Sequence, residues 1–349
     1  MTNPRLLYIS INDGSDTRIN KEVKTLSSQF DITYIGIGKS TEQSFVKEYC
    51  RQFLVVKGHH KSPFVFLKYY LLFLRAFLFR SYQSIHVINE NLLLIFFPFL
   101  WWSRKKIVLD VFDSIFLRAK NKNTWLESLC YKTPKVIIVT DDNRKQLLPT
   151  PFHAKTVVVE NYPYRFREEV QKISTPDELL VFYNGSMSKV RGTELLLQLL
   201  RLDSGLKVKM AGWVYDEMTK ELSQHPQVEF LGVLPQRTTM QVASQCDYIL
   251  SLYEPVNENN INASPNKIYD AIQAGTPVII NQEVKISSFV KEHNLGYIMS
   301  SFYDSDYKQI LDNWLRLKKN YVFDTQLLEQ FTWEAVEDKL LKAHQSRME

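Results

Sequence analysis

The feature that most constrains this chain is an alternation of short apolar runs with helix-period segments, which runs through once and then begins again. Residues 6–11 read as a buried strand, 16–30 carry helical spacing at Ile19, Val23 and Leu26, and 31–36 read as a second strand. Apolar runs at 85–88, 106–111, 136–139 and 156–159 follow, with helical stretches between them. After a polar, charge-rich segment at 165–178, which holds Pro176, the pattern restarts at 179–184 and continues at 207–211, 228–231, 248–252 and 277–280. Strands separated by helices pair in parallel, so the expected architecture is α/β, with parallel sheets covered by helices on both faces. A chain of 349 residues has room for two such domains. They are expected over 1–165 and 179–330, joined by a linker at 166–178. A last helix in 331–349 is expected to pack back on the first domain. In parallel sheets, ligands bind at the carboxyl ends of the strands.

Composition narrows the setting. Hydrophobic residues make up 45% and charged residues 23%, which excludes a disordered chain. Cys50, Cys130 and Cys246 are too few and too far apart for a disulfide framework or a zinc site, so a reducing compartment is expected. The N-terminal residues lack the charged-then-apolar run of a signal peptide. No uncharged apolar run reaches the ~18 residues of a spanning helix. The net charge of +5 is unevenly spread: residues 1–165 carry 24 Lys and Arg against 13 Asp and Glu, and residues 166–349 carry 19 against 25. Only the first half is therefore expected to face something anionic, nucleic acid or lipid.

Two segments carry chemistry. In SPNKIYDAIQAGTPVI, Ser264 is placed to cap a helix with Pro265 at its first position, and Gly275 to end it before a strand. Free N–H groups at that helix start, beside Lys267, would suit a phosphate, and Asp270 one turn on could hold ribose hydroxyls. The same residues also describe a well-capped helix and nothing more. In NGSMSKVRGTELL, Gly185 lets the backbone approach a ligand and Arg191 can pair with a diphosphate. The Walker pattern GxxxxGK[ST] is absent from that loop.

Together these segments resemble family 4 glycosyltransferases, which have the two-domain GT-B fold. SPNKIYDAIQAGTPVI is similar to their donor-site signature. INDGSDTRINKEVKTL, IHVINENLLL, KIVLDVFD, VVVENYP, YNGSMSKVRGTELL, VEFLGVLPQ and FTWEAVEDKLLKA resemble further family segments in the family's order, over nearly the whole chain. The resemblance implies two Rossmann-like domains facing a central cleft and retaining transfer of a sugar from a nucleotide diphosphate sugar, with no metal or other cofactor. It also implies roles: Arg191 and Lys267 on the diphosphate, Asp270 on the ribose, Ser264 and Asn266 shaping the loop, Gly185 beneath the phosphates. Gly232, Val233 and Leu234 would meet the base, and Gly14 would approach the donor across the cleft. Asp113 and Glu90 are the acceptor-side carboxylates put forward as catalytic. The chain departs from the family in three places. The family's two glutamates, eight positions apart, are Asn262 and Asp270 here, its phosphate-side basic pair is Ser186 and Arg191, and its acceptor-domain histidine is Phe112.

Other signals are weaker. His59 and His60 form a loop pair without neighbouring carboxylates, which argues against a metal. Asp141 and Asp142 read as a helix cap, and Gly36 and Gly38 as a turn. In contrast, 61–80 repeats Lys61, Lys68 and Arg75 at heptad spacing among Phe, Tyr and Leu, and the apolar run 92–102 ends in Arg104, Lys105 and Lys106. Cations interleaved with aromatics suit an anionic bilayer surface, although a core helix with snorkelling cations would read the same way. No nucleic-acid reading motif is present. The expectation is therefore a cytoplasmic, peripheral glycosyltransferase at the inner face of the cell membrane, acting on a glycan or lipid-linked glycan in cell-surface polysaccharide synthesis. The alternatives are a nucleotide-sugar epimerase of the same fold and a degenerate, non-catalytic partner subunit.

Overall fold

The computed structural model describes residues 3–38, 44–59, 61–118, 124–168 and 170–345; of the histidine pair, His60 lies outside them. Two parallel sheets organise the chain. The first contains β1 (Arg5–Ile9), β2 (Asp31–Gly38), β3 (Gln52–Lys57), β4 (Ser84–Ile88), β5 (Ile107–Val111), β6 (Val136–Val139) and β7 (Thr156–Val158), in the order β3-β2-β1-β4-β5-β6-β7. The second contains β8 (Leu179–Met187), β9 (Leu206–Val214), β10 (Val228–Phe230), β11 (Tyr248–Leu250), β12 (Val278–Asn281) and β13 (Gly296–Met299), in the order β10-β9-β8-β11-β12-β13. In both sheets the order reverses beside the first strand, between β1 and β4 and between β8 and β11. Such a switch point leaves a crevice at the carboxyl ends of the two strands.

The central strands form because they are apolar throughout. Leu6, Leu7, Tyr8 and Ile9 of β1 are all fully buried, as a strand covered on both faces requires. Helix Thr17–Ser27 covers one face with Ile19, Val23 and Leu26, and Asp16 caps it by accepting from the Arg18 and Ile19 amides.

The chain divides into two compact units, Met1–Asn161 with Val336–Glu349, and Tyr162–Ala335. Helix Trp333–Gln345 thus begins in one unit and ends in the other. Within the first unit, Glu337 accepts from Thr25 Oγ1 at 2.8 Å, and Lys339 pairs with Glu160 at 2.8 Å. His344 reaches Ser84 Oγ at 2.7 Å and His86 at 3.1 Å. Under that contact lies a buried charge network. Arg18 pairs with Glu22 at 2.7 Å and Asp110 at 3.0 Å, and donates to the Val159 carbonyl at 2.9 Å. Burial keeps the Asp110 carboxyl raised and the His86 imidazole neutral. Glu22, His86 and Asp110 lie close enough together to ligate a cation, but the Arg18 guanidinium already supplies the positive charge there.

Helix Pro63–Leu78 buries Tyr69, Phe73 and Ala76, while Phe64, Leu67, Leu71 and Leu78 on its other side are exposed. Lys61, Lys68 and Arg75 are exposed as well. The run 92–102 behaves differently. Leu92, Leu93, Phe96 and Leu100 are core residues, and Trp102 stands out at 85% exposure. Among the described residues, no helix is long and apolar enough to cross a membrane.

Candidate functional site

The site is built where β8 and β11 part. These strands pair only at Val181–Tyr248 and Phe182–Ile249, and the side chain of Lys267 enters beyond that point. Lys267 comes from helix Asn266–Ala274 and donates to the carbonyl of Leu250, the last residue of β11, at 3.1 Å. Its ammonium lies 5.6 Å from the Tyr183 ring centroid, and a Cβ on Gly185 would touch its Cε at 3.6 Å. Lys267 is 8% exposed. Burial, reinforced by the charge of Arg191 and partly offset by Asp270, lowers its pKa to about 7.

Arg191 lies over Tyr253, its guanidinium carbon 3.7 Å from the ring centroid, held by cation–π attraction. Among the described residues, its Nη1 is buried without a hydrogen-bond partner, and so are Asn184 Oδ1, within β8, and Ser251 Oγ, just after β11. Three unsatisfied polar atoms from segments that border one switch point are unusual, because a buried polar group without a partner costs about 1–3 kcal/mol. They suit a polar ligand bound there.

The helix start adds donors. Pro265 itself, in extended conformation (φ −72°, ψ 134°), occupies the cap position, and no side chain caps the helix. This corrects the expected Ser264 cap. Ser264 sits one residue too early because the extended Pro265 delays the helix to Asn266. Among the described residues, the cap residue offers the first-turn amides no side-chain acceptor, and they lie at the positive end of the helix dipole. Gly275 ends the helix in the left-handed conformation at φ 60°, as expected from sequence.

Beside this corner, three chain segments come together without side chains. Gly185 of β8 pairs with Gly212 of β9, and the Gly212 amide donates to the Gly232 carbonyl at 2.8 Å. A Cβ at Gly212 would fall 2.2 Å from the Gly185 carbonyl oxygen, so no other residue fits. Val233 and Leu234 follow Gly232 in a half-buried loop.

Gly185, Arg191, Lys267 and Asp270 are thus brought into one neighbourhood, with Asn266 at the helix start and Gly232 on the adjoining backbone. Sequence reasoning missed Tyr183, Asn184, Gly212, Ser251 and Tyr253. Of these only Gly212 carried a local signal, a glycine closing an apolar run.

The other named residues lie in the first unit. Gly14 is buried at φ 87°, with Val46 and Ser44 pressed where a Cβ would stand, so packing within that unit accounts for the glycine. Glu90 is fully buried, accepts from Tyr131 Oη at 2.7 Å and the Ile115 amide at 3.3 Å, and has its pKa raised by that burial. It braces the loop after β5, and this is where the structure places the carboxylate put forward as catalytic. Asn89 braces the same loop, accepting from the Phe112 and Asp113 amides. Asp113 is different. Its side chain is 47% exposed and lies 3.8 Å from Arg144.

No protein-family model and no curated protein matches the chain, but solved structures do. The structure of Anabaena Alr3699/HepE in complex with UDP-glucose is similar with a TM-score of 0.71 at 12% identity, over 99% of this chain and 100% of that one. Sucrose-phosphate synthase from Thermosynechococcus elongatus gives 0.68 at 13% identity, over 98% of each chain. UDP-N-acetylglucosamine 2-epimerase from Rickettsia bellii gives 0.64 at 10% identity, over 99% and 97%. At these identities the likeness establishes the fold. The chain is an α/β protein of the GT-B class, the architecture of known glycosyltransferases.

Proposed function

We propose that this protein is a glycosyltransferase that moves a sugar from a nucleotide diphosphate sugar to a hydroxyl of a glycan or lipid-linked glycan in cell-surface polysaccharide synthesis, with retention at the anomeric carbon. The observation that carries this reading is the pair formed by half-buried Arg191 and buried Lys267. One has an unused guanidinium nitrogen, the other is a half-neutralised ammonium, and both lie near an uncapped helix start. Two cations confined together, with only Asp270 partly offsetting them, raise the free energy of the empty site, and a diphosphate that enters lowers it again. As the bond between the anomeric carbon and the diphosphate oxygen breaks, negative charge grows on the leaving group, where Arg191 and Lys267 stabilise it most. This assigns charge neutralisation to side chains, without a metal. Asp270 binds the ribose, the backbone at Gly232, Val233 and Leu234 meets the base, Ser264 and Asn266 shape the phosphate loop, and Asp113 faces the acceptor. The basic, apolar face of residues 61–80 holds the protein peripherally at the cytoplasmic face of the membrane, where a lipid-linked acceptor would be presented.

A thermal-shift screen with UDP, GDP, CMP and ADP tests donor binding, since a ligand of the native state raises the melting temperature by mass action. Transfer and hydrolysis assays with a panel of nucleotide sugars test the reaction. Interconversion of free nucleotide sugars without acceptor would replace the proposal with an epimerase, a reading favoured by the epimerase among the similar folds. Absence of nucleotide binding would leave a non-catalytic partner subunit.

A further inference from the structure

One region of the first unit remains unexplained by donor chemistry. Between Tyr49 and Asn89 there is no Asp or Glu, while Arg51, Lys57, Lys61, Lys68, Arg75 and Arg80 all fall there. Arg75 and Arg80 are exposed, and among the described residues neither has an ion pair or hydrogen-bond partner. Between them, Leu78, the last residue of helix Pro63–Leu78, and Phe79, the residue after it, stand 61% and 81% exposed. Two surface grooves meet at Phe79 and Arg80. One, of about 630 Å³, runs between the helix and edge strand β3 and is lined by Phe53, Leu54, Leu72 and Arg75. The other, of about 550 Å³, is bordered by Leu78, Ser103 and Lys106.

Apolar side chains flanked by unpaired cations ask for a partner that is both oily and anionic. A second copy of this chain fails that requirement, since a two-fold contact would set cations against cations. We propose that the C-terminal end of helix Pro63–Leu78 is a headgroup site for an anionic phospholipid of the bilayer. Arg75, Arg80 and Lys106 bind the phosphate, and Leu78 and Phe79 enter the acyl layer. This rests on the peripheral-membrane reading and localises it. A diffuse field would draw on every cation of the helix alike, whereas a site concentrates binding at one end. Lys68 lies seven residues before Arg75, roughly 10 Å along a helix, about one Debye length at 0.1 M salt.

The test is co-sedimentation with phosphatidylcholine vesicles, with and without phosphatidylglycerol, comparing two variants of equal charge change. Arg75→Gln with Arg80→Gln should weaken binding to the anionic vesicles about fivefold per cation, thus about thirtyfold for the pair. Lys61→Gln with Lys68→Gln should weaken it clearly less, and Phe79→Ser should make the binding that survives added salt disappear. Equal losses in the two charge pairs would overturn the site but keep the membrane surface. A wild-type protein that ignores anionic vesicles would overturn both, as would one carried to them only by an added acidic protein. Nucleotide thermal shifts should be the same in all variants, which separates failure here from failure of the donor reading.

Discussion

If Lys267 neutralises a diphosphate, donor affinity must depend on pH in a way set by its burial. In the free protein its pKa is lowered to about 7, so near neutrality it is half charged. Two phosphate charges against the ammonium restore the ordinary value of 10.5 or more, so binding takes up a proton wherever the free lysine is neutral. A nucleotide sugar is the ligand of choice because its diphosphate does not itself titrate near neutrality. Between pH 7 and pH 9 the charged fraction falls about fiftyfold, and affinity should fall with it, a loss of about 2.3 kcal/mol. Below pH 7 the curve should flatten, with less than about a twofold gain by pH 6. Tyr183, the titratable ring beside the ammonium, is pushed up to about 12 and stays silent in this window. Isothermal titration in buffers of different ionisation heat reads both affinity and proton uptake. Lys267→Met should bind weakly, with no slope and no uptake. It should also melt higher than wild type, because it removes a cation whose charged form the folded state disfavours; that gain should be largest below pH 7 and fade as pH rises towards 10.5. A wild-type affinity that is flat from pH 7 to 9 would refute the placement of Lys267 against the phosphates.

Arg191→Ala should weaken nucleotide-diphosphate binding more than tenfold, in line with the roughly 1.5–3 kcal/mol of a charge-assisted contact, without unfolding the protein; titration calorimetry and a melting curve check the two halves. Asp270→Asn should weaken a nucleoside diphosphate but scarcely affect inorganic pyrophosphate, and equal losses for both would remove Asp270 from the ribose. In the first unit, Arg18→Met strands the Glu22 and Asp110 carboxylates in the core and should cost about 3–5 kcal/mol of stability by denaturant unfolding. Adding Glu22→Gln should recover part of that loss, and no recovery would mean that packing rather than charge was removed.

The repeated α/β pattern was legible because parallel central strands are apolar on both faces. Leu179, Val181, Phe182 and Tyr183 of β8 advertise themselves as a run. Edge strand β13, GYIM, did not, since only Met299 is buried and the run is four residues long. The ends of β8 and β9 were read short, at 184 and 211, because Gly185 and Gly212 look like loop residues; pairing carries both strands on to Met187 and Val214. The phosphate-side cations were legible from motif order, but their state was not. The burial of Lys267 and the stacking of Arg191 on Tyr253, 62 positions away, depend on how β8 and β11 diverge. The burial of Glu90 was hidden for a related reason. A glutamate opening a helix is ordinarily solvated, and nothing local reveals that Tyr131, 41 residues on, closes over it.

The departure at position 262 gains a physical meaning from its surroundings. Asn262 is 2% exposed, and its amide donates to the Glu258 carbonyl at 2.7 Å and the Glu258 carboxylate at 2.9 Å. It thereby closes the short helix Glu258–Ile261, which Asn257 opens by accepting from the Asn260 amide. A glutamate at 262 would lose both donated bonds and set its charge against Glu258, so this loop is built around the amide. Asn260 adds a bond to the Glu254 carbonyl at 2.8 Å, and Glu254 in turn takes the Val190 carbonyl through its own amide at 3.0 Å. The loop after β11 is thus tied back to the residue preceding Arg191. Asn260, not Asn262, makes that tie, while Asn262 closes the helix turn before it, and a carboxylate at 262 would lose the bonds that close it.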